Sequence, residues 1–280
     1  MLDWWYGFIG VALPFKLMGH TFMKNALLAV FLATPLFGIL GTMVVSNRMA
    51  FFSDSLGHST FTGLAIGALL GGKPLPSIIA LAVAFAVVIT VVKNKSKAST
   101  DTIIGVFAST AIAVGLVILS HGGKFGKFTS FLIGDLLSIT PAEITMLFWT
   151  FAGVVLLWLL LFNKLLILSI NPSLAASRGI KTLQVELLFS SALAVVVAMT
   201  IQWVGILLIN SLLVLPAAAA RNVTVNVRQY HFLAVVFALA AGITGLVLSY
   251  YWNAATGSMI VLVSAAIFFA TFMLRNRYVG

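Results

Sequence analysis

The sequence predicts an all-α, polytopic integral membrane protein of about nine transmembrane helices, within a range of eight to ten. Three observations carry that prediction. Of the 280 residues, 61% are hydrophobic and only 8% are charged, against about 25% charged in a typical soluble domain. The apolar residues fall into runs long enough to cross a bilayer, at about 22–46, 48–71, 74–92, 101–120, 141–162, 183–202, 204–221, 231–252 and 257–275. The breaks between runs hold the polar and basic residues: Asn47-Arg48, Gly72-Lys73-Pro74, KNKSKAST at 93–100 and His121-Gly122-Gly123. The length suits one transmembrane domain over residues 1–280.

Taken in order, the chain opens with MLDWWYGFIG, which lacks the basic start and small-residue cleavage site of a signal peptide. Trp4, Trp5 and Tyr6 make residues 1–21 an N-terminal interfacial segment. Segment 128–140, FTSFLIGDLLSIT, is too short to span alone. It reads as re-entrant, or as a broken partner of the helix that Pro141 opens. With nine spans and the amino terminus outside, the inner side receives Arg48, Lys93, Lys95, Lys97, Lys164, Arg178, Lys181, Arg221, Arg228, Arg275 and Arg277. The outer side receives only Lys16, Lys24, Lys73, Lys124 and Lys127. That positive-inside bias predicts amino terminus out and carboxy terminus in, in a cytoplasmic membrane. The net charge of +10 is explained by span ends meeting anionic lipid, and no nucleic-acid role is assigned.

The longest polar-edged connection, 163–182, lies on the inner side. Asn171-Pro172 opens a short segment there, Ser173, Leu174, Ala175, Ala176, Ser177 and Arg178, which Gly179 closes. It reads equally as a contact for a cytoplasmic partner or as an ordinary interfacial linker.

The run from Arg48 to Gly71 holds the chain's most unusual pair, Asp54 and His58. Four residues apart on a helix is one turn apart on one face, and an ionisable residue inside a span is expensive enough to mark a site. Beside the pair runs a small-residue stripe, Ser55, Ser59, Gly63, Gly67 and Gly71, suited to close helix packing. One oxygen and one nitrogen donor suit zinc, manganese or ferrous iron. Two ligands are too few for a stable site, and a symmetric dimer would supply four. The competing reading makes Asp54 a helix N-cap and His58 a packed polar side chain.

Other polar residues are weaker candidates. His121 and Asp135 read as solvated, with help in metal entry left open. His20 and His231 read as interfacial, Asp101 and Glu186 as complements to helix dipoles, and Asn210 and Ser211 as interhelical hydrogen-bonding groups. There is no cysteine, so thiolate ligands are excluded. No Walker phosphate loop, HExxH or GxSxG occurs, so the chain does not read as an enzyme. Any ATPase must be another polypeptide. The rivals are a proton-coupled secondary metal carrier, which would need more buried acids than Asp54, and an intramembrane metalloenzyme, which would need further ligands.

NRMAFFSDSLGHSTFTGLAIG at 47–67 resembles the signature of the permease subunits of bacterial zinc and manganese ABC importers, the ABC-3 family. Further matches follow in order: DTIIGVFASTAIAVG at 101–115, SFLIGDLLSI at 130–139, SLAASRGI at 173–180, VGILLINSLLVLPAAAARN at 204–222 and TGSMIVLVSA at 256–265. WNAATGS at 252–258 departs from it, since the family often carries an Asp and a Pro before the glycine. The resemblance implies the vitamin B12-type importer permease fold and a homodimeric channel. It implies one cytoplasmic ABC ATPase per subunit and an extracytoplasmic metal-binding lipoprotein. It also implies that Asp54 and His58 coordinate the passing ion, with no permanently bound cofactor, and that 173–179 forms the coupling helix.

Overall fold

A computed structural model of the chain describes residues 7, 19–71, 74–121 and 134–278. Among them are ten α-helices and no strand: α1 (Thr21–Ser46), α2 (Ala50–Leu69), α3 (Pro74–Lys95), α4 (Thr100–His121), α5 (Pro141–Ile170), α6 (Pro172–Ser177), α7 (Thr182–Val204), α8 (Ile206–Asn222), α9 (Val227–Trp252) and α10 (Thr256–Tyr278). Nine of them occupy the nine apolar runs, and α6 is the short segment of the inner connection. Most of the N-terminal interfacial segment 1–21 lies outside the described residues. So do Lys73, Lys124, Lys127 and the first part of the short 128–140 segment.

Seven helices are long and apolar enough to cross a membrane. Apart from the six-residue α6, the exceptions are α2 and α8, and both are interior. Helix α2 carries Asp54, His58 and many Ser, Thr and Gly residues, while α8 has 17 residues. A helix this polar would be a poor neighbour for lipid, and α2 is instead enclosed by α3, α4, α7 and α8. Helices α1 and α7 are largely buried as well, whereas α3, α4, α5 and α10 turn much of their surface outward. Val117, Trp149, Leu160 and Met273 lie on those outward faces, as expected where the surrounding solvent is hydrocarbon.

Without a hydrophobic drive between helices in lipid, association depends on close van der Waals packing and interhelical hydrogen bonds. Both are present around α2. A methyl group on Gly63 would come within 2.8 Å of Ile78 Cα, and one on Gly67 would collide with the Ser77 hydroxyl, so these glycines admit the first turns of α3. On another side Thr62 donates to the Ala111 carbonyl of α4. Between α3 and α7, the Thr90 hydroxyl donates to that of Ser190 at 3.0 Å.

The two ends of the bundle differ in chemistry. At the basic end, Lys93 pairs with Glu186 at 3.0 Å and Asn94 donates to the same carboxylate, joining the end of α3 to the start of α7. Glu186 is thus an ion-pair partner as well as a carboxylate in the first turns of its helix. At the opposite end, α7 turns into α8 at Gly205, whose φ of 88° is left-handed and open to glycine. Residues 134–140 bend over this turn. The Asp135 amide donates to the Gln202 carbonyl, and Leu136–Ser138 form one 3₁₀ turn that Asp135 caps. Pro141 then opens α5 behind a Thr140/Glu143 capping box. Gln202 donates to Glu143 at 2.6 Å, tying the start of α5 to the end of α7.

Candidate functional site

Helix α2 begins abruptly. Met49 precedes it without a side-chain cap, after a turn in which Arg48 takes a φ of 55°. Asp54 is the fifth residue of the helix, past the amides that a cap would serve. It is therefore no N-cap, and its carboxylate is free for other work. One turn on, His58 Nε2 lies 3.4 Å from Asp54 Oδ2. Two ligand atoms bonded to one tetrahedral ion at about 2.0–2.1 Å stand about 3.4 Å apart, so the pair matches the spacing of adjacent ligands.

The pair is also the open part of an otherwise enclosed helix. From Phe51 to Thr60 only Phe51, Asp54 and His58 escape burial, and residues three and seven apart share a face. The Asp54 side chain is 41% exposed and that of His58 21%. The adjoining face is closed by α8. Ser53 donates to Asn210 Oδ1 at 2.6 Å, and Gly57 lets Ile206 and Ile209 approach. Asn210 thus bonds between helices. Among the described residues no group of three or more His, Cys, Asp or Glu could hold a metal ion. The pair offers two donors, and no third of these residue types joins it among the described residues.

The small-residue stripe divides among neighbours. Ser55 and Ser59 are fully buried, Ser59 donating to the Leu56 carbonyl and the Ser55 hydroxyl having no partner among the described residues. Gly63 and Gly67 face α3 of the same chain, and Gly71 ends the segment in a left-handed conformation with open space around it.

At the basic end, α6 is built as its residues dictate. The Asn171 side chain accepts from the amides of Ser173 and Leu174, Pro172 occupies the first turn, and Gly179 closes it with a φ of 74°. Ala175 is fully buried against the bundle, while Leu174, Ser177 and Arg178 are exposed. The helix rests on α5 and α7. Beside it a cleft of about 390 Å³ is lined by Lys164, Arg178, Lys181 and Gln184.

A model of the ABC 3 transport family matches residues 19–275. The chain belongs to that family. It is 28% identical over 261 residues to the manganese transport system membrane protein MntC of Listeria monocytogenes, with 93% of each chain covered. It is 27% identical over 243 residues to the high-affinity zinc uptake system membrane protein ZnuB of Buchnera aphidicola, covering 86% of this chain and 93% of that one. The solved structure of PsaBC from Streptococcus pneumoniae in complex with a Fab is similar at a TM-score of 0.81 and 26% identity, covering 99% of this chain and 98% of that chain.

Within this ABC 3 family member the remaining candidates stand apart from the pair. His121 is exposed at the end of α4, Asp135 is an exposed cap, and His20 stacks on Phe22. His231 is not interfacial, as its position near a run's end predicts, but buried. Its Nδ1 lies 2.6 Å from the Thr42 hydroxyl, and Trp158 and Phe162 meet its ring edge-on. Those partners come from α1 and α5, far away in sequence, so no local pattern announces them. The Trp158 indole N–H in this cluster has no partner among the described residues.

Proposed function

We propose that this chain is the membrane permease subunit of an ATP-binding-cassette importer for a divalent transition metal ion, zinc or manganese, with ferrous iron compatible with the same donors. The ion is cargo, and the chain itself carries out no chemical step. The observation that carries this reading is the half-open Asp54/His58 pair, spaced as adjacent ligands on an enclosed helix. Two such pairs brought together by a second copy of the chain would offer two carboxylates and two imidazoles. Such a site binds without thiolates, so the ion can leave as readily as it enters, as transport requires.

In this reading the basic end faces the cytoplasm, with the amino terminus outside. The exposed side of α6, from Ser173 to Gly179, is the contact for a separate cytoplasmic ATPase, and an extracytoplasmic metal-binding lipoprotein delivers the ion at the other end. Nucleotide-driven closure of the ATPases shifts access to the pair from one side to the other. The buried Ala175 and the Lys93–Glu186 pair support the mechanical part of this reading, because they tie α6 and α7 to the bundle.

One experiment tests the assignment. Metal uptake is measured in vesicles holding the permease with its ATPase and binding protein. Asp54→Ala and His58→Ala are each expected to abolish uptake while the subunit stays bound to its ATPase, and Arg178→Ala is expected to uncouple hydrolysis from uptake without changing metal preference. Normal uptake in either ligand variant overturns the ion site, and unaltered coupling in Arg178→Ala returns α6 to a plain linker. Uptake that survives removal of the ATPase but collapses with a protonophore identifies a proton-coupled carrier instead.

A further inference from the structure

Arginine side chains at the end of a membrane helix normally reach for water or for a carboxylate. At the basic end, Arg221 of α8 and Arg275 of α10 line one cleft of about 710 Å³, together with Asn222, Asn226, Tyr230 and Phe268. The Arg221 guanidinium lies over the Tyr230 ring, 5.7 Å from its centroid. Among the described residues no lining side chain is a carboxylate, and neither the His58–Asp54 contact nor the Lys93–Glu186 ion pair involves either arginine. Two guanidiniums lining one cleft, with no carboxylate beside them among the described residues, make it cationic, and a phosphate can accept from a guanidinium in fork geometry.

The surroundings identify the kind of phosphate. Phe268, inside the cleft, stacks on Phe272 at 6.2 Å. Its neighbour Phe269, 5.5 Å away between ring centroids, is exposed with Leu262 and Met273, seven residues before it and four after it on the same face, so an apolar strip leads from the cleft along α10. A cationic, amide-rich pocket that opens onto an apolar helix face fits a molecule with an anionic head and a hydrocarbon tail. None of the lining residues belongs to α5, α6 or α7, which carry the surface assigned above to the ATPase. We propose that this cleft binds the phosphate headgroup of an anionic phospholipid of the leaflet at the basic end. The site depends on the membrane-spanning architecture and is independent of which ion the protein carries.

The test is native mass spectrometry of the full chain in mild detergent, titrated in turn with phosphatidylglycerol, phosphatidylcholine and glycerol 3-phosphate. The wild type should retain phosphatidylglycerol in preference to phosphatidylcholine. Arg221→Gln/Arg275→Gln should weaken that retention about thirtyfold. Arg228→Gln, an exposed charge outside the cleft, should leave it unchanged, as should Asp54→Ala, which separates this site from the ion site. Arg221→Lys/Arg275→Lys, which keeps the charge, should retain much of the binding and guards against a fold defect. Equal retention of the two lipids, or equal losses in Arg228→Gln and the double variant, overturns the proposal. Glycerol 3-phosphate binding as strongly as the lipid makes it a free-phosphate site, and loss of ATPase co-purification with lipid retention intact makes it a protein-docking surface; either result overturns it too.

Discussion

At the scale of single residues, Asp54 and His58 gain little stability from each other. A partly exposed carboxylate–imidazole contact one helical turn apart contributes at most the about 0.3–0.5 kcal/mol of an i,i+4 pair, and screening by solvent reduces it further. The α2 packing is carried instead by Phe52, Leu56 and Leu64, all essentially fully buried, and by the hydrogen bond from Ser53 to Asn210. A side-chain pair that is expensive to place in a span yet nearly neutral for stability must be there for something else. Conservative polar changes separate the two roles. Asp54→Asn and His58→Gln are expected to shift the folding free energy by no more than about 0.5 kcal/mol, read as a thermal unfolding midpoint in detergent within a degree or two of wild type. Both should still lose metal uptake. A large drop in the midpoint would show the pair to be structural.

At the scale of elements, the glycines of α2 do work that only a missing side chain can do. Gly63 stands against the backbone of Ile78, which cannot swing aside as a flexible side chain would. Gly63→Ala must therefore push α3 away from α2, at a cost of about 1–3 kcal/mol for overpacking. Gly153 in α5 has open space where a Cβ would go. Gly153→Ala should be neutral or stabilising by up to about 1 kcal/mol, the helix propensity difference between the residues. Unfolding midpoints of the two variants check this, and equal shifts would contradict the close approach. This contrast also marks what the sequence makes legible. Gly63 could be placed on a small-residue stripe from spacing alone, and the helices could be placed from apolar runs and breakers such as Asn171-Pro172 and Gly179. Asp54 and His58 stood out because charge in an apolar run is locally visible. The helix that meets Gly63, the burial of His231 under Trp158 and Phe162, and the Lys93–Glu186 pair are tertiary facts between residues about fifteen to ninety positions apart in the chain, and no local period encodes them. Span apolarity misleads in the opposite direction at α2 and α8, because an enclosed helix is released from the need to satisfy lipid.

At the scale of the whole molecule, the open strip of α2 asks for a neighbour. Three sides of the helix are covered by α3, α4, α7 and α8, yet Phe51 remains 60% exposed beside the half-open Asp54 and His58. A charged strip facing hydrocarbon would be unfavourable by several kcal/mol at the bilayer centre. A second copy applied to this strip about a two-fold axis would remove it from lipid and double the donor count, since an isologous interface places the same residues on both sides. The absence of cysteine makes the arrangement testable without background. Phe51→Cys is expected to cross-link two chains with a short thiol-specific reagent in native membranes. Val117→Cys, equally exposed but on the outward face of α4, is expected not to. Equilibrium binding to the purified permease should then saturate at one ion per two chains. One ion per chain, or cross-linking through position 117 and not through 51, would mean that each subunit completes its own site and that α2 opens onto something other than its twin.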